Sequence, residues 1–283
     1  MQLLRTTAAV RRLVHAWQES GASVALVPTL GNLHAGHVSL AGIARRRADR
    51  VIASIFVNPT QFGPGEDYAS YPRTLRADTA QLRAAGVDAV FLPTVRVMYP
   101  RGDRDSVTVS VPGLSTDLCG AHRPGHFDGV ASVVLRLFNI VTPDVAVFGE
   151  KDYQQLLLLK RMARDLHLDL EIVGAPTVRE ADGLAMSSRN QYLDAGQRRI
   201  APALYATLGE CRSQLLAGNR AWGRIERRAR QRLEVAGLRP DYVAIRDARD
   251  LAPPTGASRS LRVLAAAWLG RARLIDNIGV RLR

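Results

Sequence analysis

The sequence predicts an α/β protein in which a parallel sheet carries helices on both faces, followed by a smaller α+β domain. Three observations predict this fold. Between residues 23 and 176, short runs alternate with amphipathic segments. The short runs are almost entirely apolar, which is typical of parallel strands that are buried on both faces. Beyond residue 184 the alternation stops, and two long helical segments precede three strand-like runs.

The N-terminal elements follow from periodicity and from their boundaries. Residues 1–20 predict a first helix, since apolar residues recur near helical spacing. These residues are Leu3, Val10, Leu13, Val14 and Trp17. The predicted strands are 23–29, 50–59, 87–93, 144–150 and 168–176, and the predicted helices are 36–48, 74–86, 129–141 and 153–166. The result is a Rossmann-like sheet, in which ligands bind at the carboxyl ends of the strands.

The C-terminal elements have a different order. Helices are predicted for 195–217 and 220–236, and strands for 241–247, 260–270 and 272–282. The Pro- and Gly-rich stretch 251–258 predicts a loop. We therefore expect two domains, a Rossmann-like ligand-binding domain at residues 1–184 and a smaller α+β domain at residues 185–283. The smaller domain is expected to close over the ligand as a lid.

The composition limits the class of protein. The chain has 283 residues, of which 47% are hydrophobic and 23% are charged, as in a globular protein. No apolar run approaches the roughly 20 residues of a membrane-spanning helix. The Arg-rich start lacks a signal-peptide core; it would also suit a transit peptide, but its spacing favours a helix. Cys119 and Cys211 form neither a disulfide framework nor a zinc pattern, so a cytoplasmic location is expected.

The net charge of +13 raises the alternative of nucleic-acid binding. The basic residues are mostly Arg and are spread along the chain, with the highest density between residues 220 and 232. The sequence has no basic low-complexity arm and no RNA-binding motif with interleaved aromatic residues. We therefore expect neither a nucleic acid nor a membrane as partner, whereas small anionic substrates suit the charge.

The stretch VPTLGNLHAGHVSL (27–40) carries the first candidate site. It differs from a P-loop because His37 and Val38 occupy the positions of the Lys and the Ser or Thr. A glycine-broken turn before a helix N-terminus suits an anion, and His34 and His37 lie one turn apart on the same face. The Glu of HExxH is missing, which weakens a metal site. A phosphate site, a metal site and a solvated His pair remain open at this point.

Two polar clusters lie between the later strands. Residues 56–74 follow a predicted strand and contain Asn58 and Gln61, whose amides suit hydroxyl and carboxylate groups. HRPGHF precedes a predicted helix, and its Arg and His side chains suit a carboxylate or a phosphate; they are His122, Arg123 and His126. Each cluster alone also suits an ordinary surface loop.

Two more clusters complete the set. FGEKDYQQ (148–155) ends a predicted strand and offers Lys151 for phosphate, while Asp152 suits either a ribose hydroxyl or a helix cap. MSSRNQYL (186–193) joins the two predicted domains, and Arg189 in it suits a polyphosphate. Alone it also suits a linker. Together, the five clusters predict one ligand site at the carboxyl edge of the sheet.

Several of these motifs resemble those of one protein family. PTLGNLHAGH resembles the HIGH motif of nucleotidylyl transferases and class I aminoacyl-tRNA synthetases, and MSSRN resembles the KMSKS loop. FVNPTQF, YPRT, FGEKDYQQ and TVREADGLAMSSRNQYL are also family-like in order and spacing. Over nearly its full length, the sequence is similar to the pantoate–β-alanine ligase family.

The resemblance implies a two-step reaction. ATP and (R)-pantoate would give pantoyl adenylate and pyrophosphate, and β-alanine would then attack the mixed anhydride to give pantothenate and AMP. Mg²⁺ would accompany the ATP, and the protein would be a homodimer. Another acid-adenylating or nucleotidyl-transferring enzyme with a HIGH motif is the alternative.

The resemblance also implies roles for individual residues. His34, His37, Lys151 and Arg189 would be catalytic, with His37 as the proton donor. Gln61 and Gln155, with Asn58 nearby, would bind pantoate and β-alanine, and Asp78 matches an acidic position associated with Mg²⁺. The expected ATP-binding residues are Leu30, Gly31, Asn32, Leu33, His34, Ala35, Gly36, His37, Gly149, Glu150, Lys151, Asp152, Val178, Met186, Ser187, Ser188 and Arg189.

Ala35 is the one visible departure from the family pattern. Many members carry an acidic residue between the two histidines, as in HEGH or HDGH, where this chain has HAGH. The position is expected to point away from ATP, so we expect activity to survive. The change bears on the electrostatics of the helix start and on the dimer surface.

Overall fold

The computed structural model describes residues 1–282 of the 283-residue chain. The chain divides into two compact units. The first comprises Met1–Glu150 and Leu158–Pro176, and the second comprises Lys151–Leu157 and the residues from Thr177 onward. The expected domain boundary between residues 184 and 185 stays a prediction. No helix within residues 1–282 is long and apolar enough to cross a lipid bilayer.

The first unit is built on a six-stranded sheet in which all neighbouring strands are parallel. Its strands are β1 (Gln2–Leu4), β2 (Val24–Thr29), β3 (Arg50–Ile55), β4 (Ala89–Phe91), β5 (Val145–Gly149) and β6 (Glu171–Ala175). The spatial order is β1-β4-β3-β2-β5-β6. The chain leaves β2 toward β3 on one side and later places β5 on the other side. Ligands bind at the carboxyl ends of strands beside such a reversal.

Helices cover both faces of this sheet. The helices of this part of the chain are α1 (Thr7–Glu19), α2 (Ala35–Arg45), α3 (Leu75–Ala84), α4 (Val95–Met98), α5 (Cys119–His122), α6 (His126–Val141) and α7 (Tyr153–Asp165). Of α7, only the residues from Leu158 onward belong to the first unit. Leu40 of α2 and Leu82 of α3 share one buried cluster with Val27 of β2. No α6 residue joins that cluster; α6 packs against β2, and α1 packs against α6. The predicted α/β class is therefore confirmed.

The second unit combines helices with a three-stranded antiparallel sheet of order β7-β8-β9. Its elements are α8 (Ala195–Ile200), α9 (Ala203–Leu216), α10 (Trp222–Val235), β7 (Arg239–Asp247), β8 (Ser260–Leu269) and β9 (Ala272–Arg281). Leu208 of α9, Leu233 of α10 and Val263 of β8 are fully buried in one cluster. Burying each such side chain contributes about 1.5–3 kcal/mol, so this α+β unit has its own core, as the sequence predicts.

Three element predictions were wrong in detail. Leu3 lies on β1 and not on the first helix, which begins at Thr7. The predicted helix 195–217 is divided into α8 and α9 at Pro202, because proline lacks the N–H that a continuous helix needs. The helix predicted from residue 129 begins at His126, after Gly125 in a left-handed conformation.

Candidate active site

The turn after β2 has an unusual backbone that its residues make possible. Gly31 and Asn32 have φ angles of +87° and +51°. A Cβ on Gly31 would lie 3.0 Å from Cγ2 of Ile55 and 3.2 Å from Oδ2 of Asp78, so the turn requires glycine at this position. The Gly31 N–H donates to Oγ1 of Thr29 at 3.2 Å. The chain is thereby folded back into the start of α2.

Asp78 of α3 holds this turn through hydrogen bonds to its backbone. Its Oδ2 accepts the N–H of Asn32 at 3.0 Å, and its Oδ1 accepts the N–H of Leu33 at 2.8 Å. The Thr74 hydroxyl donates to Oδ1 at 3.0 Å. Asp78 is 1% exposed, and a buried carboxylate is tolerated only when donors satisfy its oxygens. The turn and α3 are thus joined by charge-assisted hydrogen bonds.

The expected Mg²⁺ role of Asp78 does not fit these contacts. The Asp78 carboxylate is 1% exposed and accepts three hydrogen bonds from the protein. These use three of its roughly four lone-pair sites, whereas Mg²⁺ usually keeps several waters around it. In the part of the chain that the structure describes, no three His, Cys, Asp or Glu side chains are grouped to hold a metal ion. The contacts of Asp78 therefore serve the turn and not a metal ion.

His34 and His37 form a capping box at the N-terminus of α2. Nδ1 of His34 accepts the N–H of Gly36 at 3.1 Å, and Nδ1 of His37 accepts the N–H of His34 at 3.3 Å. The ring centroids are 4.1 Å apart. Because both Nδ1 atoms accept, the proton of each neutral ring is assigned to Nε2, which makes Nε2 a donor. The pair can therefore donate toward an anion at a helix N-terminus.

The first turn of α2 carries no negative charge of its own. It contains no acidic residue, and Ala35, at the first helical position, is exposed. An acidic side chain there would offset the positive potential of the N-terminus. Ala35 thus leaves a more favourable potential for phosphate than an acidic residue would.

Asn58 is held inside the first unit and orients Gln61. Asn58 is 1% exposed, and its Nδ2 donates to Oε1 of Gln61 at 3.3 Å and to the Gly129 carbonyl at 3.2 Å. Its Oδ1 accepts the Tyr99 hydroxyl at 2.7 Å. Burial raises the pKa of Tyr99, which keeps this hydroxyl a donor. These contacts fix the short 3-10 turn Pro59–Gln61 that follows β3.

Arg123 and His126 hold the backbone of the same turn. His126 Nδ1 lies 2.8 Å from the Gln61 carbonyl oxygen, and Nη1 of Arg123 lies 2.9 Å from His126 Nε2. Since the arginine can only donate and the carbonyl can only accept, His126 carries its proton on Nδ1. Arg123 also pairs with both oxygens of Glu66 at 2.7 and 2.6 Å. Burial opposes ionisation of Glu66, but Arg123 outweighs it and lowers the Glu66 pKa.

The second unit brings Lys151 and Ser187 to one small cavity. Both residues line it together with Asn190 and Asp276, and its other lining residues are Leu184, Ala185, Leu204, Leu274 and Ile275. Nδ2 of Asn277 donates to the Lys151 carbonyl at 2.9 Å, which fixes the backbone of the short turn Glu150–Asp152. The lysine Nζ lies 3.7 Å from Oδ2 of Asp152.

The segment after β6 is folded as a tight hairpin. Arg179 and Ala185 form an isolated antiparallel bridge, and the N–H of Met186 donates to the Val178 carbonyl at 3.0 Å. Ser187 caps the next 3-10 turn, since its Oγ accepts the N–H of Arg189 at 3.3 Å. Ser188 is buried, and Arg189 and Gln155 are half-buried.

Sequence analysis missed several residues that position these groups. Glu66 and Tyr99 fix the turn of Gln61. Asn277 fixes the Lys151 segment, and Asp276 lines the same cavity as Lys151 and holds Arg179. A signal was present for the last two, because Asp-Asn interrupts the otherwise apolar strand pattern RLIDNIGV. For Glu66 there was no such signal, since it lies in a polar loop.

Comparisons with known proteins point to one family. A family model described as pantoate-beta-alanine ligase matches residues 2–279. The chain is 57% identical over 276 residues to pantothenate synthetase of Halorhodospira halophila, covering 97% of each chain. It is 55% identical to that of Thioalkalivibrio sulfidiphilus, covering 100% of this chain and 99% of the relative.

Solved structures agree with these relatives. A crystal structure of pantothenate synthetase from Thermus thermophilus superposes with a TM-score of 0.92 at 46% identity and covers 98% of this chain and 99% of that one. A pantoate-beta-alanine ligase from Francisella tularensis, complexed with beta-gamma ATP and beta-alanine, superposes with a TM-score of 0.79 at 31% identity, covering 98% of this chain and 97% of that one.

Proposed function

Because the chain belongs to the pantoate-beta-alanine ligase family, we propose that it condenses (R)-pantoate with β-alanine at the expense of ATP. The products are pantothenate, AMP and pyrophosphate. One observation of the site supports the proposal independently of family membership. His34 and His37 present two Nε2 donors at a helix N-terminus that contains no acidic residue, which is an arrangement for phosphate.

The reaction proceeds through pantoyl adenylate in this proposal. A carboxylate does not condense with an amine unaided, because its oxygen is a poor leaving group. A pantoate oxygen therefore attacks the α-phosphorus of ATP, and pyrophosphate leaves. The amine of β-alanine then attacks the carbonyl carbon, and AMP leaves while the amine loses a proton.

The histidines and Lys151 act on the leaving pyrophosphate. Charge grows on the bridging oxygen as the phosphorus–oxygen bond breaks, and donors aimed at that charge lower the barrier. His34 and His37 donate from Nε2, with His37 as the proton donor, and Lys151 supplies a point charge. Ser187, Ser188 and Arg189 stabilise the same triphosphate.

The remaining ATP contacts follow the family pattern. Asp152 binds the ribose, and Val178 contacts the adenine. The other residues proposed to line the nucleotide are Leu30, Gly31, Asn32, Leu33, Ala35, Gly36, Gly149, Glu150 and Met186. Mg²⁺ supplies charge neutralisation of the phosphates when it is bound with ATP. We also propose that the protein is a cytoplasmic homodimer.

Gln61 and Gln155 bind the two organic substrates. Gln61 takes pantoate and β-alanine, and Gln155 takes pantoate. The contacts of Asn58 support an indirect part for this residue, since its amide is already engaged with Gln61 and the Gly129 carbonyl. The smaller α+β domain expected at residues 185–283 acts as a lid in this proposal, because the adenylate hydrolyses easily and must be kept from water.

A pantoate-dependent AMP assay tests the proposed function. Purified protein with ATP and Mg²⁺ is expected to release pyrophosphate only when pantoate is added, and AMP only when β-alanine is added as well. Release of ADP and phosphate would contradict adenylation. A panel of other carboxylic acids and of phosphate esters tests the alternative of a different nucleotidyl-transfer substrate; faster turnover with one of them would replace pantoate.

A further inference from the structure

We propose that Asp78 is a positioning residue for the adenylation step and not a ligand of Mg²⁺. Its buried carboxylate holds the backbone of Asn32 and Leu33 and thereby places the imidazoles of His34 and His37. The adenylation step in question is that of the proposed function, on which this inference rests.

The first argument is the backbone that Asp78 stabilises. Gly31 and Asn32 adopt positive φ angles in succession, +87° and +51°, and the second is a non-glycine residue. Asn is the residue other than glycine that adopts this region most readily, so the two residues permit the turn but do not by themselves fix it. Asn32 and Leu33 are both buried, so without the carboxylate their N–H groups would lose their acceptors away from water. Asp78 therefore stabilises this turn specifically.

The second argument is the short path from Asp78 to the imidazoles. Leu33, whose N–H Asp78 holds, is followed directly by His34, and the His34 N–H in turn holds the His37 ring. Gln81, one turn along α3, donates from Nε2 to the Leu33 carbonyl at 3.4 Å. Both backbone polar groups of Leu33 are thus fixed by α3. A displacement of about 1 Å at a reacting group costs on the order of 100-fold in rate.

The third argument concerns the metal. Asp78 is 1% exposed and accepts three hydrogen bonds, two on Oδ1 and one on Oδ2. Of the roughly four lone-pair sites of a carboxylate, only one on Oδ2 remains, and a metal ion there would have to fit into the buried turn beside the Asn32 N–H. Mg²⁺ also needs near-octahedral oxygen ligands, of which several are usually waters, and Asp78 does not face solvent. The geometry suits a carboxylate whose role is to accept hydrogen bonds from the backbone N–H groups of Asn32 and Leu33.

The test is Asp78→Asn in the full-length protein. The amide keeps the volume but offers one oxygen for two N–H groups, so one of these groups then faces an NH₂. We expect kcat for pantoate-dependent pyrophosphate release to fall by about 10- to 100-fold. The Mg²⁺ concentration for half-maximal rate is expected to stay unchanged. ATP binding measured in EDTA by equilibrium dialysis is expected to weaken. The imidazoles contact the phosphates directly in the proposed site, so displacing them weakens binding even when no metal is present.

Asp88→Asn is the matched control. Asp88 also accepts a backbone N–H, from Val51 at 2.8 Å, but it lies at the start of β4, on the opposite edge of the sheet. We expect this variant to lose stability without a change in ATP binding in EDTA. An Asp78→Asn variant with unchanged kcat, or with a raised Mg²⁺ requirement and unchanged ATP binding in EDTA, would overturn the positioning role.

Thr74→Val covers the case in which Asp78→Asn does not fold. Thr74 is exposed and makes no helix-capping hydrogen bond, so valine removes only the hydroxyl that orients the carboxylate. We expect a smaller fall in kcat, about threefold. ATP binding in EDTA is again expected to weaken, and the Mg²⁺ requirement is again expected to stay unchanged. A normal kcat and normal ATP binding would count against the proposal. A wild-type protein without pantoate-dependent pyrophosphate release would instead refute the proposed function.

Discussion

Arg179 and Asp276 form a bidentate ion pair within the second unit. Nη1 and Nη2 of Arg179 lie 2.6 and 2.9 Å from Oδ2 and Oδ1 of Asp276, and the guanidinium carbon lies 3.7 Å from the ring centroid of Tyr205. Nη1 also donates to the Gly183 carbonyl at 3.0 Å. The pair therefore ties the hairpin that precedes Met186 to strand β9.

We predict that Asp276→Asn destabilises the protein. The Asp276 side chain is 2% exposed and that of Arg179 is 18% exposed, and removing one charge of a buried pair costs about 3–5 kcal/mol. Urea unfolding measures this loss. Glu210→Gln is the control, because Glu210 pairs with Arg232 at 2.6 Å with both side chains 50% exposed. That exposed pair is worth about 1 kcal/mol or less, and equal losses for both variants would contradict the prediction.

We predict that His37→Ala lowers turnover by about 10²- to 10³-fold, as expected when a donor to a developing charge is lost. Steady-state pyrophosphate release measures it. Alanine also removes the acceptor for the His34 N–H, so His37→Asn is the companion variant. Its Oδ1 replaces Nδ1 as that acceptor but supplies no donor at the position of Nε2. Recovery of turnover in His37→Asn would show that the cap, and not the Nε2 donor, matters.

Gly129→Ala is predicted to raise KM for pantoate and to destabilise the protein. A Cβ on Gly129 would lie 2.2 Å from the Thr60 carbonyl oxygen and 2.8 Å from the Gln61 nitrogen, so the turn that carries Gln61 must move. Gly209→Ala in α9 is the control, since nothing lies within 4 Å of its added Cβ. Alanine there is expected to stabilise by about 0.5–1 kcal/mol. A Gly129→Ala variant with normal KM would contradict the packing argument.

Asp247 is predicted to make stability depend on acid pH. Hydrogen bonds from Arg249, at 3.0 and 3.1 Å, and from Ser258, at 2.8 Å, hold the pKa of Asp247 well below its usual range. A lowered folded-state pKa contributes stability above the unfolded value of about 3.9, and this contribution is lost as pH falls below it. Urea unfolding should therefore separate wild type from Asp247→Asn at pH 7 and less at pH 3.5. A constant difference would refute this.

The alternation of apolar and amphipathic segments predicted five of the six strands of the parallel sheet and its longer helices. It failed at β1, because three residues are too short for a periodicity to be read. It also failed at Pro202, where a local breaker outweighed helical spacing on both sides. Local patterns therefore predicted elements well where they were long, and failed at their ends.

Short motifs were enough to name candidate site residues such as His34 and His37, whose roles stay predictions. The residues that position such groups are distant in sequence: Glu66 and Arg123 are separated by 57 positions, and Arg179 and Asp276 by 97. Nothing local distinguishes them, since a carboxylate in a loop has the same sequence appearance whether or not it is paired. Asp78 illustrates this, because two of its three donors are backbone N–H groups that carry no sequence signal.

The hydrogen bond from Asn277 to the Lys151 carbonyl has a consequence for the timing of synthesis. Asn277 lies 126 positions after Lys151, and translation adds about 5–20 residues per second, so roughly 6 to 25 seconds separate the two. During that interval the growing chain already carries the lysine but not the amide that fixes its backbone. The turn proposed to bind nucleotide would thus be completed only after the 126 positions that separate Asn277 from Lys151 have been translated.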